Sequence, residues 1–137
     1  MGDNDWKSVA GVVVDRVTEN LAASITTRSL SEKLTEFKIH PDNSDSTDIT
    51  LIVSASDVVI GAGNGTQIEL PALPESESRV TTILRSIADG KLTESIRGGM
   101  VTYQLELPDG SVLEGRTMKG VPLGRHQSVS YPAYQSK

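Results

Sequence analysis

The sequence predicts an α+β fold, an antiparallel sheet of about six strands in the order α-β-β-β-β-α-β-β with helices packed on one face. Three observations predict it. The segments beginning at Asp5 and Glu75 carry apolar side chains at helical spacing. Met100 to Met118 alternates with period two around Pro108-Asp109-Gly110, and Gly63-Asn64-Gly65 separates two further alternating stretches.

Taken in order, Trp6, Val9, Ala10, Val13, Val14, Val17, Leu21 and Ile25 fall on one side of a helix predicted over residues 5–25, with Asn4 or Asp5 as its cap. The β-branched run Val12-Val13-Val14 opposes this by propensity, while length and period support it. Ser29 and Glu32 have capping-box spacing and predict a helical turn ending near Leu34. Four strands follow: Glu36 to His40, Asp48 to Ser54, Asp57 to Ala62 and Thr66 to Leu70. Asn64-Gly65 suits a two-residue turn, because both positions need φ > 0, and that turn would pair Gly61 with Ile68 and Val59 with Leu70.

Pro71 and Pro74 end the strand run, and Val80, Ile83, Leu84 and Ile87 give a helix over about residues 75–89, stopped near Gly90. Leu92 and Ile96 suggest one more helical turn before Gly98-Gly99. In the last hairpin the three-residue loop, with Gly110 in the left-handed conformation, sets Leu107 opposite Ser111, Leu105 opposite Leu113, Tyr103 opposite Gly115 and Val101 opposite Thr117. A loop one residue shorter or longer would set Leu105 against Glu114. Gln127 to Tyr131 alternates and can add an edge strand before Pro132. The expected organisation is a single domain over residues 1–120 and a C-terminal tail or edge strand over 121–137.

The 137 residues suffice for one core, built on Val, Ile, Leu and Ala because the aromatics are one Trp, one Phe and three Tyr. The chain has no Cys, which removes disulfides, thiolate nucleophiles and cysteine zinc sites. No long apolar run or basic-apolar leader pattern occurs, so no membrane association is expected and a cytoplasmic location is. Residues 1–114 hold all 18 acidic residues against nine Lys and Arg, whereas 115–137 hold Arg116, Lys119, Arg125 and Lys137 and no acid. An acidic body repels phosphate, so no nucleic-acid partner is expected; a basic protein partner fits it.

Catalytic signatures are missing. Gly61-Ala62-Gly63-Asn64-Gly65 has the glycines of a phosphate loop, but a strand pattern follows it, which reads as a hairpin. His40 to Asp48 gathers oxygen ligands without the spacing of a calcium loop. His40 and His126 are the only histidines, and nothing in the spacing brings them together with a carboxylate. No catalytic residue, cofactor or metal site is therefore expected, and the balance is against an enzyme. The tail residues Arg125, His126, Tyr131 and Tyr134 gather cationic and aromatic groups, the chemistry of a binding hot spot. The alternative for them is an arm laid on the protein's own sheet.

In element order the chain is similar in outline to type III secretion chaperones, which pair as dimers and hold an effector segment. It departs from them by an extra strand before the second helix and by lacking a recognisable C-terminal helix, so no functional residue carries over. The leading expectation is a non-enzymatic protein-binding module, such as a toxin-neutralising immunity protein or a secretion-chaperone-like adaptor, with a homodimer as an option. The alternatives are a small-molecule-binding domain or carboxylate-based enzyme, and a structural subunit of a homo-oligomer.

Overall fold

The computed structural model describes residues 6–118 and 126–137. Helix α1 spans Trp6–Thr18 and buries Trp6, Ala10, Val13, Val14 and Val17 along one stripe, the face that the helical period marks. The Trp6 indole donates to the Leu73 carbonyl at 3.0 Å, which ties the helix start to a loop far along the chain. The capping candidates Asn4 and Asp5 lie outside the described residues.

α1 is shorter than the predicted 5–25. It stops at Thr18, whose hydroxyl turns back onto the Val14 carbonyl at 2.9 Å, and the chain continues into a strand, β1 (Ala23–Ser29). Ile25-Thr26-Thr27 is β-branched, and pairing across a sheet suits it better than a fourth helical turn does. Ile25 meets Ile39 of β2 (Thr35–Pro41), so it joins the same core from a strand rather than from the helix. The expected capping box at Ser29 is instead the β1–β2 connection, where the Ser29 hydroxyl donates to the Ser31 carbonyl and the Leu30 N–H donates to the Leu34 carbonyl.

β3 (Ile49–Val53), β4 (Asp57–Ala62) and β5 (Thr66–Pro71) complete an antiparallel meander close to the predicted strands. One face carries Phe37, Ile39, Ile49, Leu51, Val53, Val58, Ile60 and Ile68, all buried in the core. The β4–β5 register differs from expectation by one residue: Ala62 faces Thr66, Ile60 faces Ile68 and Val58 faces Leu70. A three-residue loop closes the hairpin, and its register keeps Ile60 and Ile68 on the core face together.

A short 3-10 turn (Pro74–Ser76) leads into α2 (Glu77–Ala88), which buries Val80, Ile83, Leu84 and Ile87 and packs on α1. The expected helical turn after Gly90 is a strand, β6 (Leu92–Arg97), joined through Gly98-Gly99 to β7 (Met100–Glu106) and thence to β8 (Val112–Met118). The β7–β8 register is the one the Pro-Asp-Gly loop predicts, from Leu105 opposite Leu113 to Val101 opposite Thr117. β9 (Gln127–Ser130) pairs with β6.

Among the described residues the architecture is α+β and antiparallel, as expected, with two helices, but the strands form two sheets instead of one of about six. The first holds β1 to β5 in sequence order and the second has the order β8-β7-β6-β9. α2 carries the chain away from β5 before β6 begins, so the later strands start a sheet of their own. Both sheets and both helices share one core. Among the described residues no helix is long and apolar enough to cross a membrane.

Candidate functional site

Of the four tail residues singled out by sequence, the three that are described, His126, Tyr131 and Tyr134, do not share one surface. Tyr134 is buried; its hydroxyl donates to the Thr47 carbonyl at 2.6 Å and its N–H to the Ala88 carbonyl at 2.7 Å. Burial, with Asp48 nearby, raises its phenol pKa well above the ordinary value. The Tyr131 hydroxyl donates to Glu94 at 2.6 Å and accepts from the Asn64 amide at 2.9 Å. His126 is exposed, its Nε2 2.6 Å from the Ser95 hydroxyl. Ser95 and Glu94 are neighbours on one strand and point to opposite faces, so His126 and Tyr131 lie on opposite sides of the second sheet. Arg125 lies outside the described residues.

Glu94, which sequence reading passed over, is fully buried between the sheets. Its carboxylate receives the N–H groups of Asn64, Gly65 and Thr66, the Asn64 side-chain amide, and the hydroxyls of Thr66 and Tyr131. Burial by itself raises its pKa, but the bonds from Thr66, Tyr131, Asn64 and Gly65 outweigh it and hold the carboxyl below the ordinary range. Successive loop N–H groups around a carboxylate make an anion nest. The Gly-Asn-Gly loop therefore does cradle an anion, and that anion is the protein's own. The nest is a clasp joining the two sheets and the tail, with its donors already engaged.

The outer face of the first sheet is polar. Thr26 Oγ1 lies 2.8 Å from His40 Nε2, and His40 Nδ1 lies 3.7 Å from Asp48 Oδ2, a hydroxyl-imidazole-carboxylate row whose last step exceeds hydrogen-bond reach. Arg28 and Glu36 pair beside it at 3.0 Å. Next to the row is an open cleft of about 600 Å³ lined by Lys38, Asp48, Thr50, Gln67 and the Gly63-Asn64-Gly65 loop. The loop N–H groups of Asn64 and Gly65 face Glu94, so they are not oriented to stabilise an oxyanion in that cleft. Among the described residues no three His, Asp or Glu side chains cluster as a metal ion would require.

The remaining feature is β1 itself. It is the end strand of its sheet, and the Asp42 to Ala22 and Leu30 to Leu34 bonds set which of its residues face β2. Antiparallel pairing alternates, so Ser24, Thr26 and Arg28 bond to β2 while the main-chain groups of Ala23, Ile25, Thr27 and Ser29 point to the open edge. Sheet edges are ordinarily guarded by charge, proline, bulges or shortness. β1 has seven residues, one charge at Arg28 and no proline. By contrast β5 ends in Pro71 and packs near β8, β8 carries Glu114 and Arg116, and β9 has only four residues. Between β1 and α1 runs an open groove lined by Val12, Asp15, Arg16, Thr18, Glu19, Ala23, Ile25 and Lys137.

The groove is not legible in the sequence because Ile25 fits the helical period as well as that of a strand, and without β1 there is no edge. Glu94 was hidden because a charged residue at an inward position reads as an outward one. The clue available was the alternation of Leu92, Glu94 and Ile96. No protein-family model matches the chain, and no curated protein matches it either.

Proposed function

We propose that the protein is a non-enzymatic protein-binding module, of the kind that neutralises a toxin or escorts a secreted partner, and that α1 and β1 form its contact surface. The single observation that carries this reading is the unguarded edge of β1 beside a groove that Val12, Ala23 and Ile25 line together with acidic and basic side chains. Val12 is 54% exposed on the helix side of the groove, and an apolar side chain left in water at a groove's margin is a natural anchor point. The acidic body fits a basic partner and speeds its encounter. Co-expression with the product of the adjacent gene should give a stoichiometric complex that loosens as salt rises. A chain that elutes alone from that experiment overturns the reading.

A second reading, a carboxylate-assisted enzyme on a small substrate, draws on the Thr26-His40-Asp48 row, of which Asp48 lines the polar cleft. It is the weaker of the two, because Asp48 is half-exposed and too far from His40 to orient it by a hydrogen bond. Hydrolysis of a generic ester by the protein, abolished in His40→Ala, would promote it.

A further inference from the structure

We propose that the outer face of the second sheet carries a binding site for the phosphate group of a small organic monoester. The site is separate from the β1 edge and does not rest on the protein-binding reading. It is an open pocket of about 420 Å³, lined by Ser95, Arg97, Gly98, Met100, Thr102 and His126.

The strand register brings these groups together. Ser95 stands opposite Thr102 on one side and Ser128 on the other, and Arg97 stands opposite Met100 across the Gly98-Gly99 turn. Glu94 and Val101 are buried, so the alternate residues Ser95, Arg97, Met100 and Thr102 share the outward face. His126 precedes β9 and reaches the same place, its Nε2 2.6 Å from the Ser95 hydroxyl. Both turn positions need φ > 0, at +55° and +82°, so Gly98 adds main chain to the lining without a side chain to close it.

Charge and donor count name the ligand. The lining holds a guanidinium and an imidazole and no carboxylate. Arg97 has no ion-pair partner among the described residues, and neither has Arg116, which stands opposite Thr102 on β8. Glu106 and Glu114 share this face but lie toward the other end of β7, where Lys91 and Gln104 engage them at 3.8 and 3.3 Å. In a chain of net charge −5, an acid-free basic pocket is where an anion is drawn. By contrast, the cleft beside His40 sets Lys38 with Asp48, and the α1–β1 groove sets Arg16 and Lys137 with Asp15 and Glu19.

The donors suit a phosphate better than a carboxylate. Arg97 offers a planar fork for two oxygens. When His126 Nε2 carries the proton it donates to Ser95, and the Ser95 hydroxyl then turns to the ligand beside that of Thr102. A monoester presents three acceptor oxygens and close to two charges to this set, whereas a carboxylate presents two oxygens and one charge. Half-buried Met100 gives a polarisable wall for the organic part. A polynucleotide is a poorer occupant, because it needs a row of cations and the described part of this face offers only Arg97 and Arg116.

The test titrates the whole 15N-labelled protein with phenyl phosphate in buffered saline and follows the backbone amide shifts. Saturable shifts centred on residues 95–102 and 126–128 are expected, with a Kd on the order of 1 mM for so small a ligand on an open site. Inorganic phosphate, which has no organic part, should bind about threefold more weakly, and benzoate about tenfold more weakly. Arg97→Gln should weaken phenyl phosphate about tenfold or more, and Ser95→Ala or His126→Gln about threefold. Unchanged amide shifts in α1 and the first sheet check that each variant folds, and Arg97→Lys, which keeps the charge without the fork, should fall between the native protein and Arg97→Gln. No saturation, shifts centred on another element, equal binding of benzoate, or full affinity in Arg97→Gln overturns the proposal. Equal binding of inorganic phosphate overturns the monoester, since Met100 would then contribute nothing. Tighter, steeply salt-dependent binding of an oligothymidylate at the same amides also overturns it and makes the face a nucleic-acid site.

Discussion

The two glycine-ended hairpin loops, Gly63-Asn64-Gly65 and Pro108-Asp109-Gly110, both surround a carboxylate, but one carboxylate is local and the other comes from the second sheet. In the later loop Asp109 Oδ1 accepts the Ser111 N–H at 2.9 Å and the Ser111 hydroxyl at 2.6 Å, and the loop closes on itself through Leu107 and Ser111. In the earlier loop Glu94 accepts the N–H groups of Asn64, Gly65 and Thr66 from about thirty residues away in sequence. A side chain added at Gly110 would meet nothing within 4 Å, whereas one added at Gly63 would lie 2.6 Å from Glu94. The comparison teaches when turn chemistry alone decides a register. It does so where the loop satisfies its own donors, and it yields where a distant group satisfies them.

The largest expected effect comes from emptying the clasp. Glu94→Ala leaves buried N–H groups of the loop without an acceptor and should cost roughly 3–5 kcal/mol in chemical denaturation. A loss under about 1 kcal/mol would show that the loop stands without Glu94, like its counterpart. Gly63→Ala should come next, at roughly 2–4 kcal/mol, because φ is +60° there and the new methyl displaces a carboxylate pinned by its bonds. Gly110→Ala meets only the backbone penalty of φ +88°, so about 1 kcal/mol is expected. Equal melting shifts for the two glycine variants would erase the contrast between the loops.

Tyr131→Phe removes a hydroxyl that donates to Glu94 and accepts from Asn64, and should cost about 1–2 kcal/mol. Its cost should largely disappear in the Glu94→Ala background, since the two groups share one network, and additivity of the two changes would argue against coupling. The mildest probe is acid. Glu94 has a folded-state pKa depressed from the ordinary 4.5, so the stability it contributes is present above that value and is lost as pH falls through the folded value. Between neutral pH and about 5 the contribution should be flat. Urea unfolding as a function of pH should therefore show a steeper acid loss for the native protein than for Glu94→Gln, and parallel curves would deny the clasp its electrostatic part.

Several elements were legible because their causes are local. The apolar stripe of α2, the strands from Phe37 to Ile68, and the Leu105 to Leu113 register all follow from the 3.6-residue or two-residue period and from the φ that Gly110 can adopt. Other features depend on partners far away in sequence. Ile25 satisfies helical and strand periods alike, and its pairing with Ile39 selected the strand. The tail tyrosines carry the composition of a hot spot, yet Tyr134 reaches Thr47 and Ala88, contacts that no spacing within the tail encodes.

By itself, then, the sequence determined an α+β chain with antiparallel pairing, one acidic body, and a Pro-Asp-Gly hairpin in a defined register, because period, turn chemistry and charge act over a few residues or over none in particular. The tertiary structure decided the division into two sheets, the loop register around Glu94, and the open edge of β1. Each of these turns on which groups from separate segments satisfy one another's buried donors and which are left facing water.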